Sequence, residues 1–253
     1  MENPSFKTLN TVRHKYNGKR PNGLEGAIVH FDAGRTRLPG APEDPEYGAR
    51  TTLAYAQSAG FAYITIARNG TIFLPANMDW ERWGSHAGTS RCPATGRTGV
   101  SRYYVGIEVN SPGLVFPTDD PDLFVPWFDA VRDAKGNVVL DAKSRVRIKN
   151  RNGEIYRNTD IRKWPFHANI HAGIYLPFTA AQMDAITAVL LWLKQRNPTT
   201  FRLDRVFGHD EVAPARKLDP GASLGAAGEG VLTMPDYRAR LAAAWDAKIR
   251  GRP

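Results

Sequence analysis

The stretch Phe207-Gly208-His209-Asp210-Glu211-Val212-Ala213-Pro214-Ala215-Arg216-Lys217-Leu218-Asp219-Pro220-Gly221 places a histidine ahead of an aspartate across a proline-punctuated loop. A loop of this length can fold back and bring both side chains to one point. Imidazole nitrogen and carboxylate oxygen are both competent zinc ligands. Spacing alone does not separate such a pair from ordinary surface residues, so the rest of the chain decides.

Working outward, Thr179-Ala180-Ala181-Gln182 is a capping-box pattern, followed at helical spacing by Met183, Ile186, Val189, Leu190 and Leu193; Asn197-Pro198 ends that helix. A second helix is predicted over 234–248, and a short one over 49–58. Ala27-Ile28-Val29-His30-Phe31 reads as a buried strand with His30 near its end. The runs Phe61–Ala67 and Thr71–Leu74 flank Asn69-Gly70, a strong hairpin signal because both turn residues tolerate positive φ. Val105-Gly106-Ile107-Glu108-Val109 is an apolar strand interrupted by one carboxylate, which is costly to bury unless paired or functional. Residues 1–25 are polar and turn-rich and read as a loose N-terminal arm. Residues 112–165, with prolines and the turns Asp133–Asn137 and Asn150–Gly153, read as an inserted hairpin excursion or a lid. The order of elements predicts an α/β fold: one mixed central sheet flanked by helices, over about 26–225, with 226–253 as a helical extension.

The bulk numbers narrow the classes. With 253 residues, 42% hydrophobic and 23% charged, the chain is long enough and apolar enough for a sizeable core. No apolar run reaches the ~20 residues that span a bilayer, so no membrane insertion is expected. Met1-Glu2-Asn3-Pro4-Ser5 lacks the basic start and apolar stretch of a secretory signal, which predicts synthesis in the cytoplasm. The single cysteine, Cys92, rules out an internal disulfide and a cysteine-based zinc cage, so a metal site must draw on histidines and carboxylates. The net charge of +9 favours an anionic partner. The basic residues are scattered and no nucleic-acid motif is present, so nucleic acid is not expected as that partner.

The segment Gly208–Gly221 resembles the signature of the type 2 N-acetylmuramoyl-L-alanine amidases, which include AmpD-type recycling amidases, amidase-type phage lysozymes and peptidoglycan recognition proteins. Further resemblances follow in order: Ile28-Val29-His30 to the first ligand strand, Tyr63–Ile72 to the central hairpin, Trp83-Gly84-Ser85-His86-Ala87-Gly88 to the HAG segment. Val105–Glu108 resembles the catalytic strand, and Phe178–Gln182 the start of the long helix. The resemblance implies one zinc ion per chain held by His30, His209 and Asp219, with water as the fourth ligand. It implies Glu108 as general base and Lys217 as the cation that stabilises the oxyanion. His86, Trp83 and Tyr63 are implied as groove residues, with structural packing the alternative for each. Asp219 stands where phage members of the family often carry cysteine, as in the AmpD branch. Residues 112–165 match nothing in the pattern. His167 and His171 have the spacing of a helical ligand pair, but the glutamate of a His-Glu-x-x-His site is absent.

The expected activity is zinc-dependent cleavage between N-acetylmuramic acid and L-alanine of peptidoglycan, by a wall-lytic endolysin or a delivered, antimicrobial effector. Such an enzyme acts on the wall in the periplasm after release. The alternatives are a cytoplasmic muropeptide-recycling amidase and a non-catalytic peptidoglycan-binding module.

Overall fold

The computed structural model describes residues 3–251; Met1 and Glu2, where the reading of the N-terminus begins, lie outside the described residues. In chain order the elements are β1 (Phe6–Leu9), β2 (Gly18–Lys19), β3 (Gly26–Phe31), α1 (Tyr47–Ala59), β4 (Tyr63–Ile66), β5 (Ile72–Pro75), β6 (Arg82–Trp83) and β7 (Tyr104–Val109). The chain continues through β8 (Val115–Pro117), β9 (Leu123–Pro126), β10 (Tyr156–Arg157), β11 (Arg162–Trp164), β12 (Gly173–Tyr175), α2 (Ala180–Arg196), β13 (Val206–Gly208), α3 (His209–Val212) and α4 (Met234–Arg250).

Six strands form the central sheet in the order β1-β5-β4-β7-β3-β13. The four strands from β4 to β13 run parallel, and β4 and β5 form the antiparallel hairpin that Asn69-Gly70 predicts. Alternation along the strands sorts the residues. Ala27, Val29, Ile64, Ile66, Val105, Ile107 and Val109 face Ile186, Val189, Leu190 and Leu193 of α2 and Tyr237 and Leu241 of α4, in the largest core. The other face carries Tyr63, Thr65, Gly106, Glu108, Ile28 and His30. Helix α1 packs on that side through Ala49 and Leu53 against Ala67 and Phe73.

Helix α2 starts with the full reciprocal cap: Gln182 N–H donates to Thr179 Oγ1 at 3.0 Å, and Thr179 N–H donates to Gln182 Oε1 at 3.0 Å. The Gln182 amide then donates to the Asn110 carbonyl at 2.9 Å, so this cap also ties the helix to the end of β7. Thr233 caps α4, with Pro235 in its first turn.

Two readings of the sequence need correction. The N-terminal arm is not loose: Phe6–Leu9 pairs in parallel with β5 as the edge of the main sheet, and β2 pairs with β6. The C-terminal segment is not appended either, because Met234, Tyr237 and Leu241 complete the main core and Tyr237 shares a 2.9 Å hydrogen bond with Thr187. The stretch 112–165 builds a separate three-stranded sheet, β10-β9-β8, with its own small core of Val125, Ala130 and Val146. No helix among the described residues is long and apolar enough to cross a membrane.

Candidate active site

Strand register assembles the site. His30 on β3 lies opposite Glu108 on β7, and Glu108 lies opposite Thr65 on β4. Gly208 on β13 pairs with Val29, so His209, the next residue, continues the same row beside His30. The loop after α3 brings Asp219 back, its carbonyl accepting from the Asp210 N–H at 2.7 Å. Asp219 Oδ2 then lies 2.8 Å from His30 Nδ1 and 3.0 Å from His209 Nδ1. The ligand atoms of these three buried residues lie within 4.8 Å of one another.

The hydrogen bonds around the cluster fix which nitrogens carry protons. His209 Nε2 is 3.1 Å from the Ala87 carbonyl, and His86 Nε2 is 3.0 Å from the Tyr104 carbonyl. A carbonyl only accepts, so each of these nitrogens bears the hydrogen. In neutral His86, Nδ1 is then an acceptor, and it takes the proton of His30 Nε2 at 3.3 Å. Both His30 and His209 are thereby left with bare Nδ1 lone pairs aimed at a carboxylate oxygen. Three electron pairs converging in a buried space are mutually repulsive unless a cation sits among them. Two imidazoles and a carboxylate also form a donor set suited to zinc, with outer-shell acceptors orienting the rings.

Electrostatics agree with neutral rings. Burial, reinforced by the proximity of His209, lowers the His30 pKa to about 4. Burial likewise holds His86 well below its ordinary range. Glu108, with Oε1 3.9 Å from His30 Nδ1, is pushed well above the usual carboxylate range by burial and by the charges of Asp219 and Asp32, with Lys217 opposing.

A cleft of about 900 Å³ opens over this row. Glu108, Lys217, His86, Tyr63 and the three ligand candidates all line it; Trp83 does not. Trp83 sits in β6 beneath the Arg102 guanidinium, 5.4 Å from its ring centroid. Tyr63 is spent on packing, its hydroxyl donating to the Thr52 carbonyl at 3.3 Å. His86 packs so closely over β7 that a Cβ at Gly106 would meet its Cγ at 2.7 Å. His167 and His171 do not share a helix face: His167 closes a turn with Ile170, and His171 Nε2 donates to the Pro214 carbonyl at 3.2 Å.

Three residues went unsignalled in the sequence. Asp32, half-buried at the cleft, gathers Thr52, Gly34, Asn110 and Ser111, which sets the loops at the ends of β3 and β7. Arg216 donates to the Ala87 and Thr89 carbonyls and holds the loop that carries Lys217. Trp127, from the inserted segment, forms part of the cleft wall. An aspartate straight after an apolar strand was the one available sign for Asp32.

The family model of the N-acetylmuramoyl-L-alanine amidases matches residues 19–222. No curated protein matches the chain. Among solved structures, AmpD is 18% identical with a TM-score of 0.45, covering 92% of each chain. AmiD from E. coli, solved with anhydro-N-acetylmuramic acid-L-Ala-D-γ-Glu-L-Lys, is 17% identical with a TM-score of 0.45; the match covers 83% of this chain and 57% of that longer one. The endolysin amidase LysCS from Clostridium intestinale is 13% identical with a TM-score of 0.41, covering 88% of this chain and 91% of that one. Because the family model spans five of the six strands of the central sheet, the converging histidines and Asp219, the chain belongs to the N-acetylmuramoyl-L-alanine amidase family, named for hydrolysis of the amide between N-acetylmuramic acid and L-alanine.

Proposed function

We propose that this amidase is zinc-dependent, that His30, His209 and Asp219 hold the ion, and that polymeric bacterial wall is its substrate. The observation that carries the metal reading is the convergence of two bare Nδ1 atoms on Asp219 Oδ2, with each ring's other nitrogen committed as a donor. Three protein donors leave a position open for reactants, the pattern of a catalytic rather than a structural site. When bound, zinc supplies Lewis-acid polarisation of the amide carbonyl and acidifies water.

The chain's own residues supply the rest. Glu108 stands in the same register row as His30, inside the cleft. Its carboxylate accepts a proton from the attacking water and returns it to the L-alanine nitrogen as the C–N bond breaks. A carboxyl raised by burial suits a group that must take up and release a proton near neutral pH. Lys217, which lines the cleft and lies close enough for its charge to act on Glu108, is the cation available to the carbonyl oxygen as it gains charge. The net charge of +9 supports an anionic polymer as substrate, and with it a wall-lytic role as an endolysin or delivered effector.

Mass spectrometry of purified peptidoglycan treated with the protein, with and without a zinc chelator, tests this reading. Released stem peptides with a free L-Ala amino terminus, lost on chelation and restored by zinc, are the expected result. Cleavage indifferent to chelation would remove the metal from the mechanism. Release confined to soluble muropeptides would point to recycling instead.

A further inference from the structure

The inserted segment is built as a fixed wall of the cleft. Arg35, in the loop that follows β3, makes two 2.8 Å bonds to the fully buried Asp129 carboxylate, and its guanidinium lies 4.3 Å from the Phe128 ring centroid. One turn further, buried Glu154 accepts from the Thr36 and Arg37 amides at 2.7 and 3.2 Å. The segment is thus clamped to the strand that carries His30. A paired, hydrogen-bonded, buried carboxylate is expensive to release, so this wall does not open and close as a lid.

On that wall Trp127 is set apart. Its indole N–H donates to the Ala33 carbonyl at 3.1 Å, and the Arg132 guanidinium lies 4.8 Å from its ring centroid. Yet the ring remains 36% exposed and lines the cleft with Leu114 and Phe116. Phe61 and Tyr55, also exposed, line the cleft from the β4 and α1 side. The cations Arg216 and Lys217 border the cleft from the loop beyond β13, the strand at the edge of the sheet. Apolar rings gathered along a polar-rimmed cleft mark a ligand-binding surface rather than a chance exposure.

The scissile amide joins a sugar to a peptide, so the two arms must leave the reacting row in different directions. Carboxylates of a peptide arm suit the cationic edge. Pyranose rings present C–H faces to the negative π-faces of aromatic rings. We infer that Trp127, together with Phe116, forms a subsite for glycan-strand sugars flanking the cleaved muramoyl residue, making the inserted wall the element that selects polymer over single-sugar muropeptides. This inference rests on the amidase reading for its biological sense, though the binding it predicts requires no turnover.

The test uses peptide-free N-acetylglucosamine–N-acetylmuramic acid oligosaccharides as the probe, titrated by calorimetry into the zinc-loaded protein and its Trp127→Ala and Trp127→Phe variants. Trp127→Ala is expected to weaken oligosaccharide binding about tenfold, roughly 1.4 kcal/mol. Trp127→Phe is expected to retain most of the affinity, since it keeps a ring on a clamped wall. The ratio of kcat/KM on sacculi to kcat/KM on a single-sugar muramoyl-tripeptide should fall by a similar factor in Trp127→Ala. Oligosaccharide binding unchanged in Trp127→Ala, or weakened binding of stem peptide in place of oligosaccharide, overturns the inference. Trp127-dependent oligosaccharide binding by a protein that cleaves nothing would sink the amidase reading and leave the subsite standing.

Discussion

His86 gives its Nε2 hydrogen to the Tyr104 carbonyl, and that single bond, 3.0 Å long, decides which nitrogen of His30 is free to face Asp219. In the proposed zinc site His86 acts one step removed from the ion, as an orienting residue. Replacing it with alanine leaves His30 free to rotate or to take the other tautomer. Zinc affinity is expected to fall roughly 10–100-fold, the usual effect of losing an outer-shell partner. Competition with a chromogenic chelator measures this directly. An unchanged affinity would mean that His30 is held by its own packing.

Glu108→Gln keeps the shape of the side chain and removes its capacity to take a proton. Bound zinc should stay at one per chain while kcat falls roughly 10²–10⁴-fold. Metal analysis alongside single-turnover kinetics separates the two effects. Loss of zinc in this variant would place Glu108 among the groups that shape the site.

Arg162 is an unobtrusive support. Its guanidinium donates to four carbonyls, those of Ala222, Leu224, Ala226 and Glu229, at 2.8–3.0 Å. These lie in the segment that follows Asp219. Arg162→Ala strands several carbonyls at once, and a loss of about 2–4 kcal/mol is expected in urea unfolding. Arg162→Lys, with fewer donors and no planar fork, should recover only part of it. Wild-type stability in Arg162→Ala would show that water replaces the fork at no cost.

His14 gives the fold an acid sensitivity independent of the His30, His209 and Asp219 cluster. Both of its ring nitrogens are buried without partners, and burial lowers its pKa to about 4. The unfolded chain therefore takes up this proton first, near pH 6.5. The corresponding stability is fully present above that pH and is lost as pH falls towards 4. Relative to His14→Phe, the wild type should lose about 3 kcal/mol between pH 7 and pH 4, following the linkage relation. Parallel pH profiles of the two proteins would remove His14 from the account.

How far the sequence carried the reading depended on whether a residue's role was local. The Thr179–Gln182 cap, the Asn69-Gly70 hairpin and the apolar strands around His30 and Glu108 are written in adjacent residues, and the fold follows them. The pairing of His209 with Asp219 was legible only through a resemblance, since spacing does not show that a loop turns back. The edge strand at Phe6–Leu9 was missed because four half-exposed residues carry no clear alternation and pair with a strand more than sixty positions away. Trp83 was expected in the groove from the resemblance, whereas Trp127 carried no sign in the sequence. Only the placement of β6 away from the cleft, and the Arg35–Asp129 clamp that holds the inserted wall against it, tells them apart.

Thr65, Glu108 and His30 stand on one line across three neighbouring parallel strands, and His209 continues it from the residue just past β13. Each strand delivers its residue from within a hydrogen-bonded lattice, and everything that touches the far reaches of a substrate hangs from the strand ends. The chemistry and the grip on substrate are therefore separable parts. The segment from β8 to β10 leaves the sheet just beyond Glu108 and ends ahead of Arg162, so an exchange of that segment alone should retarget the cleft to a different polymer while the Glu108–His30 row stays where it is.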